Sequence, residues 1–435
     1  MLPLVLFILA LFFKVKPAKA LRSSLTVGIG FVGIYAIFDI LTSNVGPAAQ
    51  AMVERTGINL PVVDLGWPPL SAITWGSPIA PFVIPLTILI NVAMLALNKT
   101  RTVDVDMWNY WHFAFTGSLI YVLTGNFAYG IIAAILNMVI IMVIGDYTAP
   151  KVEETLGMPG VSLPHGFTAA FVPIAIVVDK IIDVIPGVKN INIDIEKLQK
   201  RFGVFGEPML VGTVLGIIIA ALAGNNVQTV LQIGVTLGAV MVLIPKMAAL
   251  LMEGLMPISD AAQEFVSSKF ANRGKIYIGL DSAVGVGHPV CLTVSLILVP
   301  LAVFLAVILP GNTVLPMTDL SVLPYMFVLI VPLVGGNGFR ALITGIVCLV
   351  GGLYISTNLA PSITAVAKSV NFAIPKGAAT ISSICDGANP LSWVLVKAHS
   401  VGAVGLIIAV AVAVGLALMN RKRIIKEAKE LHADA

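Results

Sequence analysis

The sequence predicts an all-α, polytopic membrane protein, and three observations carry that prediction. Hydrophobic residues make up 58% of the 435 and charged residues 11%, at a mean hydropathy of +0.99, which is too little polar side chain to clothe a water-soluble core of this size. Apolar runs recur at Leu25 to Leu41, Ile79 to Leu97, Ile131 to Ile144, Val211 to Ala223, Val230 to Met252, Val290 to Leu309, Tyr325 to Val334, Ala341 to Tyr354 and Val401 to Met419. A full span needs about 20 residues, and several of these runs are shorter. The 39 glycines and 26 prolines fall mostly inside or beside the runs, a pattern of re-entrant or broken helices lining a cavity.

Charge orients these segments. The net charge is only +4, and the basic residues stand in short clusters beside apolar runs, with no stripe that could follow a nucleic acid. Lys14, Lys16, Lys19 and Arg22 form one cluster, Lys189, Lys197, Lys200 and Arg201 a second, and Arg421, Lys422, Arg423, Lys426 and Lys429 a third. The positive-inside rule places all three on the cytoplasmic face, so an even number of crossings separates them and the carboxyl terminus is cytoplasmic. Met1 to Phe13 has no charged leader and no small-residue cleavage site, so it does not read as a signal peptide. It is too short to cross alone, and the chain is expected to begin part-way into its first span.

The chain also repeats itself. Ala48-Ala49-Gln50 returns as Ala261-Ala262-Gln263, Gly76-Ser77-Pro78 as Gly287-His288-Pro289, and Gly125-Asn126 as Gly336-Asn337. Ser162-Leu163-Pro164-His165-Gly166 resembles Ser383-Ile384-Cys385-Asp386-Gly387, and all four matches are collinear at a displacement of about 210 to 220 residues. The expected organisation is therefore a first, short span and cytoplasmic loop at 1–22, a first repeat at 23–185, a cytoplasmic linker at 186–207, a second repeat at 208–400, and a last span with a basic cytoplasmic tail at 401–435. Each repeat would hold about five crossings and an amphipathic surface helix. With the last helix this gives about eleven transmembrane helices, the second repeat inverted relative to the first.

Ionisable groups at membrane depth are costly, about 2.5 to 3.5 kcal/mol each on insertion scales, so the few in the apolar region are site candidates. They are His165, His288, Asp281 and Asp386, and each stands at a Gly- or Pro-containing break. Imidazoles and carboxylates at such breaks suit a solute rich in hydroxyls. The plainer reading makes Asp281 and Asp386 helix N-caps. Asn126 and Asn337 occupy matching places and are candidates for solute hydroxyls or for caps. Trp75 offers a ring face to a sugar or to the interface. Trp108, Trp111 and His112 read as interfacial, and Glu207 as a helix-start carboxylate. Cys291, Cys348 and Cys385 have no metal or disulfide spacing and are expected simply to pack. No nucleotide loop, nucleophile elbow or metal motif occurs, so no cofactor, no metal and no complete catalytic site are expected in this chain.

Long strings in the chain resemble a known family. They include Asn59-Leu60-Pro61-Val62-Val63-Asp64-Leu65-Gly66-Trp67-Pro68, Asn91-Val92-Ala93-Met94-Leu95, Trp108-Asn109-Tyr110-Trp111-His112, Arg201-Phe202-Gly203-Val204-Phe205-Gly206-Glu207-Pro208 and Ile278-Gly279-Leu280-Asp281. The chain resembles the IIC membrane subunit of the galactitol-type bacterial phosphotransferase system, in the ascorbate and galactitol superfamily. That resemblance implies a multi-pass protein of the bacterial inner membrane, a homodimer with an elevator-like moving core, and IIA and IIB partners. It also implies a polyol substrate, galactitol or a related alditol, phosphorylated in place by a IIB phosphocysteine. The alternative from the residues alone is an ion-coupled secondary transporter of a small polar solute.

Overall fold

The computed structural model describes residues 2–56, 60–193, 208–269, 275–316, 318–374 and 378–433. Lys197, Lys200, Arg201 and Glu207 lie outside the described residues. The chain is predominantly helical. Among the described residues, Phe127–Leu156, Pro289–Ile308, Gly338–Ser369 and Ala403–Glu430 are long and apolar enough to cross a membrane. Pro69–Trp75 and Ala80–Ala96 together make a further apolar pair, bent by 84° at Gly76-Ser77-Pro78. Leu323–Leu333 is a shorter apolar stretch, and Gly212–Leu222 and Val227–Leu243 are apolar stretches of the longer helices Pro208–Leu222 and Val227–Lys269.

Leu2–Phe12, Pro17–Thr56, Pro208–Leu222 and Val227–Lys269 pack chiefly on one another and form one layer. Small residues bring these helices close: a Cβ on Gly254 would lie 2.7 Å from the backbone of Ser23 and of Val27. The repeated Ala-Ala-Gln segments are thereby continuous with the 40- and 43-residue helices of this layer.

The remaining helices form a second layer around five short strands. In chain order these are β1 (Val62–Asp64), β2 (Thr102–Asp104), β3 (Val161–Ser162), β4 (Tyr277–Gly279) and β5 (Thr380–Ser382). β2 and β3 both pair in parallel with β4, so a strand from the second half of the chain lies between two from the first. The reverse holds elsewhere, where β1 pairs in parallel with β5 and Val62 also bridges Val314. Each half thus lends its leading strand to the other.

These pairings satisfy extended backbone that helices cannot, and unsatisfied backbone is what an apolar interior tolerates least. On β2, the Asn91 side chain donates to Thr102 O at 2.9 Å and accepts from Asp104 N at 3.1 Å. Three aspartates fasten the exchange. Asp106 caps Met107–Thr124 and accepts from Asp281 N at 3.1 Å, while Asp319 accepts from Trp67 N at 2.9 Å. Asp64 in turn accepts from the backbone N of Thr318 and Asp319 at 2.9 and 3.1 Å.

The order strand, helix, helix, extended segment, helices, strand, short helix, helix occurs from β1 to Val184 and again from β4 to Ser400; among the described residues, two helices lie between the extended segment and the next strand in the first passage and four in the second. In the second passage several of the helices are short 3-10 or α turns, such as Ser282–Gly285 and Leu323–Phe327.

Candidate functional site

The two breaks that follow β3 and β5 meet at the centre of the second layer. After β3 the chain runs through Leu163-Pro164-His165 into the short helix Gly166–Ala170, with His165 at its N-cap position and making no side-chain cap. After β5 the chain enters Ile384–Gly387, where Asp386 is held at φ 51° and ψ −34°. A left-handed φ on a buried non-glycine residue is costly and is kept only where the surroundings fix it. Here Asp319 accepts from Cys385 N at 3.1 Å and from the Ser383 hydroxyl, and Asn389 Nδ2 donates to Asp386 Oδ1 at 3.0 Å and to Gly166 O at 3.1 Å.

His112 joins the breaks. Its Nδ1 lies 2.7 Å from Asp386 Oδ2, and its Nε2 lies 2.9 Å from His165 Nε2. His165 Nε2 is also 3.7 Å from Asp281 Oδ2. The two imidazole rings meet edge to face at 4.3 Å. Glycine is required beside them, because a Cβ on Gly166 would come within 2.4 Å of His112 Cβ. All four polar residues are buried.

A cavity opens beside this row, leaving about 50 Å³ to the centres of water-sized molecules. His112, His165 and Asp281 supply its polar wall. Trp67, Trp108, Trp111, Phe167 and Tyr325 supply aromatic faces, with Val322 and Cys385 completing it. Trp67 and Trp108 pack edge to face at 5.8 Å. No Lys or Arg lines the cavity among the described residues. No group of three His, Cys, Asp or Glu side chains could hold a metal ion among the described residues.

The structure brings together three of the residues singled out in the sequence, His165, Asp281 and Asp386. Asp281 is both a cavity wall and an N-cap, accepting from Ala283 N at 2.7 Å. The N-cap of the helix after Asp386 is Asn389, which accepts from Leu391 and Ser392 N. The other four stand apart from the cavity. His288 precedes Pro289–Ile308 at its N-cap position and makes no side-chain cap. Trp75 ends the helix before the Gly76-Ser77-Pro78 bend. Asn126 caps Phe127–Leu156 through Ala128 N and Tyr129 N, at 2.9 and 3.2 Å. Asn337 caps Gly338–Ser369 through Phe339 N and Arg340 N, and also donates to Ile191 O at 2.9 Å.

Three expectations need correction. Trp111 and His112 are 3% and 1% exposed, so they are interior residues and not interfacial ones. The Met107–Thr124 helix turns them inward because its start is pinned by Asp106 to the Asp281 backbone. Cys385 does more than pack, since it is part of the cavity wall.

Residues 1–377 match the family model for the sugar-specific permease component of the phosphotransferase system, EIIC-GAT. The chain belongs to this permease family. It is 39% identical over 400 residues to the galactitol-specific EIIC component of Escherichia coli K12, covering 92% of this chain and 88% of that protein. The same identity and coverage hold for the galactitol-specific EIIC component of Escherichia coli O157:H7. It is also 37% identical over 425 residues to an Escherichia coli K12 protein whose name is that of a permease IIC component and carries no sugar, covering 98% of this chain and 97% of that one. As an EIIC permease component the chain is a membrane protein of a sugar-transporting phosphotransferase system, in agreement with its apolar helices.

Proposed function

We propose that this permease component binds galactitol or a closely related alditol in the cavity beside His165 and carries it inward for phosphorylation by a IIB phosphocysteine. The observation that carries the reading is the composition of the wall: carboxylate and imidazole on one side, aromatic rings on the other, and no cationic side chain among the described residues. An alditol presents hydroxyls to the first surface and C–H edges to the second. An anionic sugar acid would meet Asp281 with nothing to offset its charge. The 39% identity to galactitol-specific components supports the choice of hexitol.

The mechanism needs no covalent bond to this chain. Asp281 and His165 hold hydroxyls, the aromatic faces exclude water, and a terminal hydroxyl is delivered to the partner's phosphocysteine at the cytoplasmic face. Movement fits an architecture of two inverted repeats, 23–185 and 208–400, with about eleven crossings when the last helix is included. The recurring element order and the exchanged strands support that division. On this reading the layer of Leu2–Phe12, Pro17–Thr56, Pro208–Leu222 and Val227–Lys269 is the scaffold of a homodimer, and the strand-bearing layer is the core that shifts against it. The basic tail from Arg421 onward supports, by the positive-inside rule, a cytoplasmic carboxyl terminus in the bacterial inner membrane.

The test is calorimetric binding to the purified protein across galactitol, other hexitols, pentitols and ascorbate, followed by transport in vesicles with and without IIA and IIB. Galactitol is expected to bind, ascorbate not to, and the product inside to be a phosphate ester. Accumulation of unmodified alditol that collapses with an uncoupler would replace this reading with ion-coupled transport.

A further inference from the structure

The row Asp386, His112, His165 has a direction. A carboxylate only accepts hydrogen bonds, and both Asp386 oxygens are engaged as acceptors, Oδ1 from Asn389 Nδ2 at 3.0 Å and Oδ2 from His112 Nδ1 at 2.7 Å. His112 therefore carries its proton on Nδ1. In a neutral ring its Nε2 is then a bare acceptor, and the nitrogen facing it at 2.9 Å, His165 Nε2, supplies the proton of that bond. Asp281 Oδ2, 3.7 Å from the same His165 nitrogen, favours the same placement. A neutral imidazole has one proton, so His165 Nδ1 is left as an acceptor. That atom is buried and has no hydrogen-bond partner among the described residues, in a ring that lines the cavity. Buried acceptors without partners are rare, and one on the wall of a binding cavity points to a donor brought by the ligand.

We propose that Asp386 and His112 are a positioning pair that fixes the tautomer of His165, so that the site presents a ring-nitrogen acceptor and selects a ligand hydroxyl that donates to it. Neither residue of the pair needs to touch the ligand for this. The unusual backbone at Asp386 serves the pair by aiming its carboxylate at His112. The proposal deepens the alditol reading of the same cavity and rests on it for the identity of the donor.

The test uses the full-length protein in lipid nanodiscs with ¹⁵N-labelled histidine. Nuclear magnetic resonance should find two rings joined through their Nε2 atoms by a coupling across the hydrogen bond. One should be protonated at Nδ1 and its partner at Nε2. Asp386→Asn is the informative variant, because asparagine tolerates a left-handed φ and its amide can donate to Nδ1. Replacing the carboxylate that orients a catalytic histidine by asparagine reverses the tautomer in the same way. Both rings are therefore expected to invert. In calorimetry, changing one particular hydroxyl of galactitol to fluorine, which cannot donate, should weaken binding about tenfold in the unaltered protein and about threefold or less in Asp386→Asn.

A charged histidine pair, a His165 protonated at Nδ1, or tautomers and fluorine penalties unchanged in a folded Asp386→Asn protein would overturn the assignment. If that variant does not fold, the tautomers of the unaltered protein decide by themselves. Tautomers as assigned with no binding of galactitol uphold the positioning pair and remove galactitol as the ligand, which keeps the two readings separable.

Discussion

Two kinds of break recur in the matching halves of this permease component, and they differ in what their polar side chains have left to offer. At Gly125-Asn126 and Gly336-Asn337 the asparagine oxygen is spent on the first amides of the next helix, and the two residues are remote from the cavity. At His165 and Asp386 the side chains cap nothing, and they converge through His112 from opposite halves of the chain. Both kinds are helix interruptions bearing polar groups in apolar surroundings. A break becomes a site when its polar atoms are aimed at one another or at a space, and remains a joint when they are consumed by the backbone.

The sharpest way to break that distinction is at Asp319, which holds the Asp386 break in place through Ser383 and Cys385 while also receiving Trp67 N. Asp319→Ala removes three bonds to a buried carboxyl and should lower stability by about 3 kcal/mol or more, read as a fall in the thermal unfolding midpoint in nanodiscs. His165→Ala should act on binding instead. It should weaken galactitol by about 100-fold, equivalent to about 2.7 kcal/mol, with a smaller fall in the unfolding midpoint than Asp319→Ala gives, since one hydrogen bond, to His112, is lost where that variant loses three. An equal loss of stability and binding in that variant would mean that the central break is a joint after all.

The asparagine breaks should behave in the opposite way. Asn337→Ala should cost about 1–2 kcal/mol of stability, because the side chain caps a helix and also ties Ile191 and Ile193 to it. Asn126→Ala, at an exposed cap, should cost about 0.5–1 kcal/mol. Neither should alter galactitol binding beyond about twofold, as far as a cap remote from the cavity can act. A large affinity change in either would return that residue to the candidate site.

Much of this was legible in the chain before any coordinates. Composition and apolar runs gave the membrane class, and the recurrence of Ser162-Leu163-Pro164-His165-Gly166 as Ser383-Ile384-Cys385-Asp386-Gly387 marked the two breaks that converge. His112 was misread because its neighbours, Trp108, Tyr110 and Trp111, have the composition of a membrane interface. The signal that opposed this was Asp106, a capping residue that starts a helix just before them and so turns one face inward. The strands were not legible at all. Two or three residues carry no alternation that could be recognised, and their partners lie far along the chain, so no local pattern encodes them. For the same reason no local pattern marks Asp64 and Asp319 as residues that clasp the halves together.

The lending of one leading strand by each half to the other has a consequence for how the protein is made. Residues 62–64 leave the ribosome long before Val314 and Thr380–Ser382, the segments they pair with, have been translated. The amino-terminal portion is therefore synthesised before β4, the strand with which both β2 and β3 pair, exists. A gene severed between the two halves should yield two polypeptides, each missing the rib that completes its own framework, and only their co-insertion is expected to restore a working carrier.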